Sequence, residues 1–473
     1  MTSSKPAQGT VWIREPSIVY GIELPASAQT APPSDDYAAS KSVGGLILIN
    51  GKVDKVLAQG EAYRGPVDEV IDAQDLIVMP GLINTHHHFY QSLTRSIRTA
   101  INQPLFPWLT TLYPIWAEQH AQDVEVATRL VLAELLLSGC TTSTDHHYLF
   151  SDNCSDPIDV QFQVAQDMGM RVMLTRGSMS LGQEQGGLPP QKVVQREADV
   201  LADCERLIGR WHDPSAYAMA QIALAPCSPF SVTPALLRDS AALAAKHDVA
   251  LHTHLAETED ETAFCIDAFG TRPLDHLEQC DWLRPRTWFA HGVHFNAQEM
   301  HRIGAAGAGI SHCPSSNMVL SSGICPITQL TKAGVAIGLG VDGSASNDHS
   351  NLAQEMRQAY LLQRLTNPEY SHLDALAMAT SGGAGLLHRP ELGHLRPGAA
   401  ADVAMFSTRE LRFSGAQDEL AALLISGAHQ AQHVLVNGQW RVRHGELVDI
   451  DLDALMHEHN AAAHALWQRA GVA

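Results

Sequence analysis

Long apolar runs, paired cysteines and positive charge are what this chain is short of. No stretch reaches the ~18 consecutive apolar residues that cross a bilayer as a helix, so no membrane partner is expected. The eight cysteines, Cys140, Cys154, Cys204, Cys227, Cys265, Cys280, Cys313 and Cys325, are scattered, and no Cys-x-x-Cys pair occurs. That excludes a zinc knuckle and a dithiol redox motif, and it fits reduced thiols in a cytoplasmic protein. Lys and Arg number 31 against 51 Asp and Glu, for a formal net charge of -20. So acidic a surface argues against nucleic acid or an anionic membrane as partner. Residues 1–8, Met-Thr-Ser-Ser-Lys-Pro-Ala-Gln, lack the apolar core of a secretory leader. No internal repeat or low-complexity tract interrupts the chain.

What is present is a long enzyme-like sequence. Its 473 residues are 45% hydrophobic and 17% charged, ordinary for a globular protein and enough for one large α/β barrel with an added subdomain. The first ~40 residues, rich in Pro, Ser and Ala, read as irregular or partly strand. Gly45-Leu-Ile-Leu-Ile-Asn-Gly51 reads as a strand closed by an Asn-Gly hairpin turn. Asp75-Leu-Ile-Val-Met-Pro-Gly81 is a second buried run.

A rhythm then begins, in which short apolar runs end in polar residues and helical patterns follow. The first run ends in His86-His-His88, and the others are Thr141–His146, Met170–Gly177, Ala220–Cys227, Val249–Glu257, Thr287–Gly292, Gly307–Cys313 and Val335–Asp342. The second is entered from an amphipathic helix over Asp123–Ser138, stopped by Gly139. Eight such runs separated by helices predict a (β/α)8 TIM barrel. Continuous rather than alternating apolar runs are the mark of strands buried on both faces. After Leu395 the pattern turns to strands, with a second Asn-Gly hairpin in His433–Val442. The tail strands and the N-terminal ones are expected to pair into a small composite β-sandwich subdomain. The expected division is 1–78 with 394–450 for that subdomain, 79–393 for the barrel, and 451–473 for a C-terminal helix.

The polar residues at the run ends carry the chemistry. Residues two apart on a strand share a side, so His86 and His88 can bind one ion while His87 turns away. His254 and Asp342 end two other runs. Three neutral imidazoles and a carboxylate suit one divalent ion, zinc first, with iron or manganese as alternatives, and leave a position for water. Glu257 follows His254 by three residues and is placed to carry a proton to a leaving amine. His291, ending the sixth run, and Asp342 are placed to orient the attacking water and to stabilise developing oxyanion charge. Gln91, where a helix would start, offers an amide to a heterocycle edge. His87, His252 and His312 read as supporting or packing residues. Gly338-x-Gly340-x-x-Gly343 formally matches a dinucleotide fingerprint, but no evident hydrophobic helix follows and it contains Asp342. Lysine is absent from the fourth run, which disfavours a two-metal site bridged by a carbamylated lysine.

Four stretches, Pro80-Gly-Leu-Ile-Asn-Thr-His-His-His88, His254-Leu-Ala-Glu257, Ala290-His-Gly292 and Val341-Asp-Gly-Ser-Ala-Ser-Asn347, make the sequence resemble the purine and triazine deaminase branch of the amidohydrolase superfamily, from about Ile71 to Gly438. The resemblance implies His86, His88, His254 and Asp342 as metal ligands, Glu257 and His291 as catalytic, and Gln91 as a substrate contact. Guanine deaminases carry an arginine in the fourth-strand motif where this chain has Cys227 and Ser228. Cys227, with Trp108, Tyr113 and Tyr148, is expected in the pocket. The implied reaction is hydrolytic deamination of an oxidised purine such as 8-oxoguanine. Dealkylamination of a hydroxytriazine is the alternative, and ring-amide hydrolysis by a two-metal cyclic amidase a more distant one. The implied partners are a small heterocycle and further copies of the chain, as a dimer or larger homo-oligomer.

Overall fold

The computed structural model describes residues 9–22, 43–154, 156–428 and 430–473. The leader reading, and the part of the N-terminal reading that falls on 23–42, lie outside the described residues. Eight parallel strands close a barrel in chain order: Leu82–Asn84, Cys140–His147, Arg171–Ser178, Ala220–Pro226, Ala250–Leu255, Thr287–His291, Gly309–His312 and Ala336–Leu339. Each expected run is one of these strands, and helices alternate with them. The second and third strands are buried along their whole length, as strands covered on both faces must be. The helix before the second strand is Ala121–Leu137, and Gly139 follows it in the left-handed region, at φ 88.

The terminal segments build two further sheets. One orders Lys52–Ala58, Val43–Ile49, Thr10–Arg14 and Glu69–Asp72; the other runs from Glu446–Leu447 through Gln439–Arg443, His433–Val436, Val403–Ser407 and Leu76–Pro80 to Ile18–Val19. Both share one apolar core that includes Ile13, Leu46, Val78, Val403 and Leu435. Both Asn-Gly hairpins form, with Asn50 and Gly51 at φ 49 and 78 and Asn437 and Gly438 at φ 51 and 73, the two positive values that a type I′ turn requires. Fully buried Arg171, on the third barrel strand, makes a bidentate pair with Asp402 at 3.0 Å on both arms, and Asp402 also accepts from the Asn437 backbone N–H at 2.7 Å. The pair ties the six-stranded sheet to the barrel. No helix among the described residues is long and apolar enough to cross a membrane, and all eight cysteines are buried and unpaired.

One long insert separates the first two barrel strands. It holds the 3-10 turn Phe89–Thr94 and the helix Leu105–Trp116. The C-terminal helix Leu452–Arg469 lies against the 3-10 turn and both neighbouring helices.

Candidate metal centre and active site

The first barrel strand ends at Asn84, so His86 and His88 sit in the extended segment beyond it rather than on the strand itself. The alternation still holds there. His87 turns away and bonds Ser350 Oγ through Nε2 at 2.9 Å, while His86 and His88 face the barrel axis region shared with His254 and Asp342.

Hydrogen bonds set the tautomers of the three imidazoles. A carbonyl can only accept, so His88 Nδ1–H donates to the His146 carbonyl at 2.6 Å and His254 Nδ1–H to that of Cys227 at 2.7 Å. His252 donates to the Trp288 carbonyl through Nδ1, at 2.9 Å, and its Nε2 accepts from His86 Nδ1 at 2.8 Å. Each ligand-type histidine therefore presents a bare Nε2 lone pair. His86 Nε2 is fully buried without a hydrogen-bond partner. His88 Nε2 and His254 Nε2 stand 3.1 Å apart, two lone pairs whose repulsion a cation between them relieves. Asp342 Oδ1 lies 3.2 Å from His86 Nε2 and 3.3 Å from His88 Nε2. Burial pushes His86 well below the usual imidazole range and His254 down to about 3, keeping them in the neutral form that ligates. Asp342 Oδ1 faces two of these bare lone pairs, a contact that a cation shared among them makes favourable. This donor set fits a divalent ion.

A buried imidazole–carboxylate pair adjoins it. His291 Nε2 is 3.4 Å from Glu257 Oε2 and 3.9 Å from Asp342 Oδ2. Its Nδ1–H donates to Asn317 Oδ1 at 2.9 Å, which aims Nε2 at the carboxylates. Burial disfavours the charged imidazole, yet Glu257 and Asp342 together raise its pKa above the ordinary value. Burial also raises Glu257, whose Oε1 accepts from Ser322 Oγ at 3.3 Å. The backbone here is strained into the left-handed region: Ala256, His291 and Asp342 have φ of 54, 74 and 63. Such non-glycine conformations cost about 1–3 kcal/mol each and persist only where their surroundings over-determine them. For Ala256 the determinant is Glu261, whose carboxylate accepts the N–H groups of both Ala256 and Glu257 at 2.9 Å.

A cavity opens over this floor. Gln91, Trp108, Tyr113, Tyr148 and Cys227 all line it, with Phe230 and Ser346 beside them. Trp108 and Tyr113 come from the insert helix, Tyr148 and Cys227 from the ends of the second and fourth strands. Gln91 does not start a helix; it is the third residue of the 3-10 turn. Its side chain lies against Gly343, where a Cβ would come within 1.9 Å of Oε1. Gln91 Oε1 and the Tyr113 hydroxyl are buried with no hydrogen-bond partner, so both are available to a ligand in the cavity.

The residues that sequence reasoning missed are supports. Asn317 and Ser322 hold His291 and Glu257. Glu355, fully buried and pushed up by burial to about 7, accepts from Ser315 N, Ser315 Oγ and Asn347 Nδ2 at 2.8, 2.7 and 3.0 Å, joining the loops after the seventh and eighth strands. His146, at the end of the second run, stacks on His254 at 4.7 Å and 20° and keeps a buried, unpartnered Nδ1. The polar end of the second run was the signal for His146, while Asn317 stands past the seventh run in the short helix Pro314–Val319. Nothing local marks Ser322 or Glu355.

Residues 77–441 match the Amidohydrolase family. The chain belongs to that family, and it is a hydrolase. It is 54% identical over 461 residues to an 8-oxoguanine deaminase of Pseudomonas aeruginosa, covering 96% of this chain and 98% of that one. It is 38% identical to a hydroxydechloroatrazine ethylaminohydrolase of a Pseudomonas species, over 81% of each chain. Among solved structures, an atrazine chlorohydrolase from Arthrobacter aurescens complexed with zinc superposes with a TM-score of 0.88 at 30% identity, covering 96% of this chain and 100% of that one. With the buried His/Asp cluster, family membership makes the floor of the cavity a divalent-metal site.

Proposed function

We propose that the chain hydrolytically deaminates 8-oxoguanine to urate and ammonia. The observation that carries this is the pairing of a preset four-ligand floor with an aromatic-walled cavity holding an unsatisfied amide oxygen, Gln91 Oε1. The 54% identity to an 8-oxoguanine deaminase over nearly the whole chain supports the choice of purine. His86, His88, His254 and Asp342 would hold the ion. Zinc is the proposed metal, supported by the zinc in the similar atrazine chlorohydrolase; iron and manganese suit the same donors. When bound, the ion lowers the pKa of a water towards ~7.

The chain's own residues then move the protons. The water oxygen bonds to the amino-bearing ring carbon as one water proton passes to Glu257 and on to the adjacent ring nitrogen. The second proton goes to the amino group, the carbon–nitrogen bond breaks, and ammonia leaves. A carboxyl raised by burial suits this relay, because its affinity for the proton approaches that of the groups on either side. His291, held by Asn317, and Asp342 orient the attacking water. Gln91 accepts from an N–H on the purine edge, and Trp108, Tyr113 and Tyr148 provide flat faces for the rings, with Cys227 at the wall where guanine deaminases carry arginine. The enzyme is further proposed to act in the cytoplasm, as a homo-oligomer, on a small heterocycle without a nucleic-acid partner.

The test is product release from 8-oxoguanine, guanine, isoxanthopterin, isocytosine and hydroxyatrazine. Ammonia and urate from 8-oxoguanine, with the highest kcat/KM of the panel, is the expected result. Ethylamine from hydroxyatrazine with no reaction on 8-oxoguanine would overturn the substrate reading.

A further inference from the structure

The C-terminal helix Leu452–Arg469 contributes no residue to the cavity lining and has no part in the chemistry above. Its contacts are nonetheless selective. Trp467 Nε1 donates to the Leu93 carbonyl at 2.9 Å, and His459 Nε2 bonds Ser92 Oγ at 3.1 Å. Arg469 Nε reaches the Glu118 carbonyl at 3.0 Å, just past the insert helix. Leu455, Ala463 and Leu466 are buried in the main core.

Ser92 and Leu93 follow Gln91 in the 3-10 turn Phe89–Thr94, all six residues of which are buried. So short a turn leaves most of its own carbonyls without internal partners, and the Trp467 indole satisfies one of them. On its other side the turn is fixed by Thr94 Oγ1, which donates to the Gln91 carbonyl at 3.0 Å and accepts from Trp116 Nε1 at 3.0 Å. The Phe89 N–H is held by Asp145 Oδ1 at 2.6 Å. Gln91 is thus carried on a segment gripped from outside by residues more than 360 positions further along the chain.

We propose that Trp467 and His459 are positioning residues for substrate affinity, holding the Ser92–Leu93 part of the Gln91-bearing turn in place, while His88, just before the turn, is fixed separately by its bond to the His146 carbonyl. This rests on the reading of Gln91 as a substrate contact. The experiment is a double-mutant cycle on the metal-loaded full chain with 8-oxoguanine, using Trp467→Phe and Gln91→Ala, with metal content measured for each variant. Expected is a threefold to tenfold rise in KM for Trp467→Phe, about the effect of one hydrogen bond, with kcat within about twofold and metal content unchanged. In the Gln91→Ala background Trp467→Phe should then change KM by less than about 1.5-fold, the signature of a shared pathway. Ser92→Ala removes the second contact without touching the helix's own packing, and should reproduce the KM effect if Trp467→Phe misfolds. A Gln91→Ala enzyme with unchanged KM removes the substrate-contact reading and this proposal with it. A damaging Gln91→Ala together with a Trp467→Phe effect that is absent, fully additive, or confined to kcat and metal content overturns the positioning role alone.

Discussion

The wall of the cavity that faces the ion and the wall that faces the substrate draw mostly on different parts of the chain, and they meet in segment 86–91, where His86 and His88 run into the turn that carries Gln91. His254, His291 and Asp342 stand at or just beyond barrel strand ends, with strained backbone at two of the three and every ring locked by a bond to a carbonyl or an amide. Gln91, Trp108 and Tyr113 stand on an insert between two strands, backed by a helix from the far end of the chain. The first wall is over-determined by its own sheet. The second depends on packing between distant segments. The ion-facing groups and the cavity-lining insert thus rest on different supports.

The largest expected effect is on the ion wall. Removing the metal with a chelator should take activity below detection, with zinc restoring it, as read by ammonia release and metal analysis. Glu257→Gln should come next, lowering kcat by about 10²–10⁴-fold, the range for a lost general acid–base group. KM and metal content should stay near wild type. A Glu257→Gln enzyme of full activity would break the assignment of roles on this wall. Asn317→Ala releases His291 Nδ1 and should cost about 10–100-fold in kcat, the range for losing a partner that orients a site imidazole. On the substrate wall, Gln91→Ala should raise KM about tenfold with kcat little changed, the pattern of lost uniform binding. An equal fall in kcat would erase the separation between the walls.

The smallest effect is on stability. Burial pushes the Asp145, Glu261 and Glu355 carboxyls up to about 7, from ordinary values of 3.8, 4.5 and 4.5. A carboxyl raised in the folded state takes up a proton on folding. Its contribution is therefore full below its unfolded pKa and is lost as the pH rises through about 7. The Tm should fall between about pH 5 and pH 8 at fixed metal loading, as read by calorimetry.

The barrel was legible because its signal is local: eight apolar runs, each closed by polar residues, fall on eight strands. The ion wall was legible for the same reason, since a ligand at a strand end sits at a fixed offset from an apolar run. Even so, His86 and His88 stand beyond their short strand, and only the persistence of the extended alternation kept the His-x-His argument valid. Gln91 was legible as a residue but not as a conformation, because a 3-10 turn and a helix start look alike over six residues. Asn317, Ser322 and Glu355 act across loops whose folding back is set by long-range contacts, and no periodicity in the chain encodes that. The grip of Trp467 on Leu93 is the extreme case, joining two segments that no window of sequence contains together.

The contact between Gln91 and Gly343 couples the two walls through an absent side chain. Gly343 follows Asp342 directly, and a single methyl group there would meet the Gln91 amide oxygen at 1.9 Å. A change to alanine would therefore displace the Gln91 amide while leaving His86, His88, His254 and Asp342 in the chain unchanged. The missing side chain at 343 thus sets how closely the turn before the second strand can lie against the segment that carries Asp342.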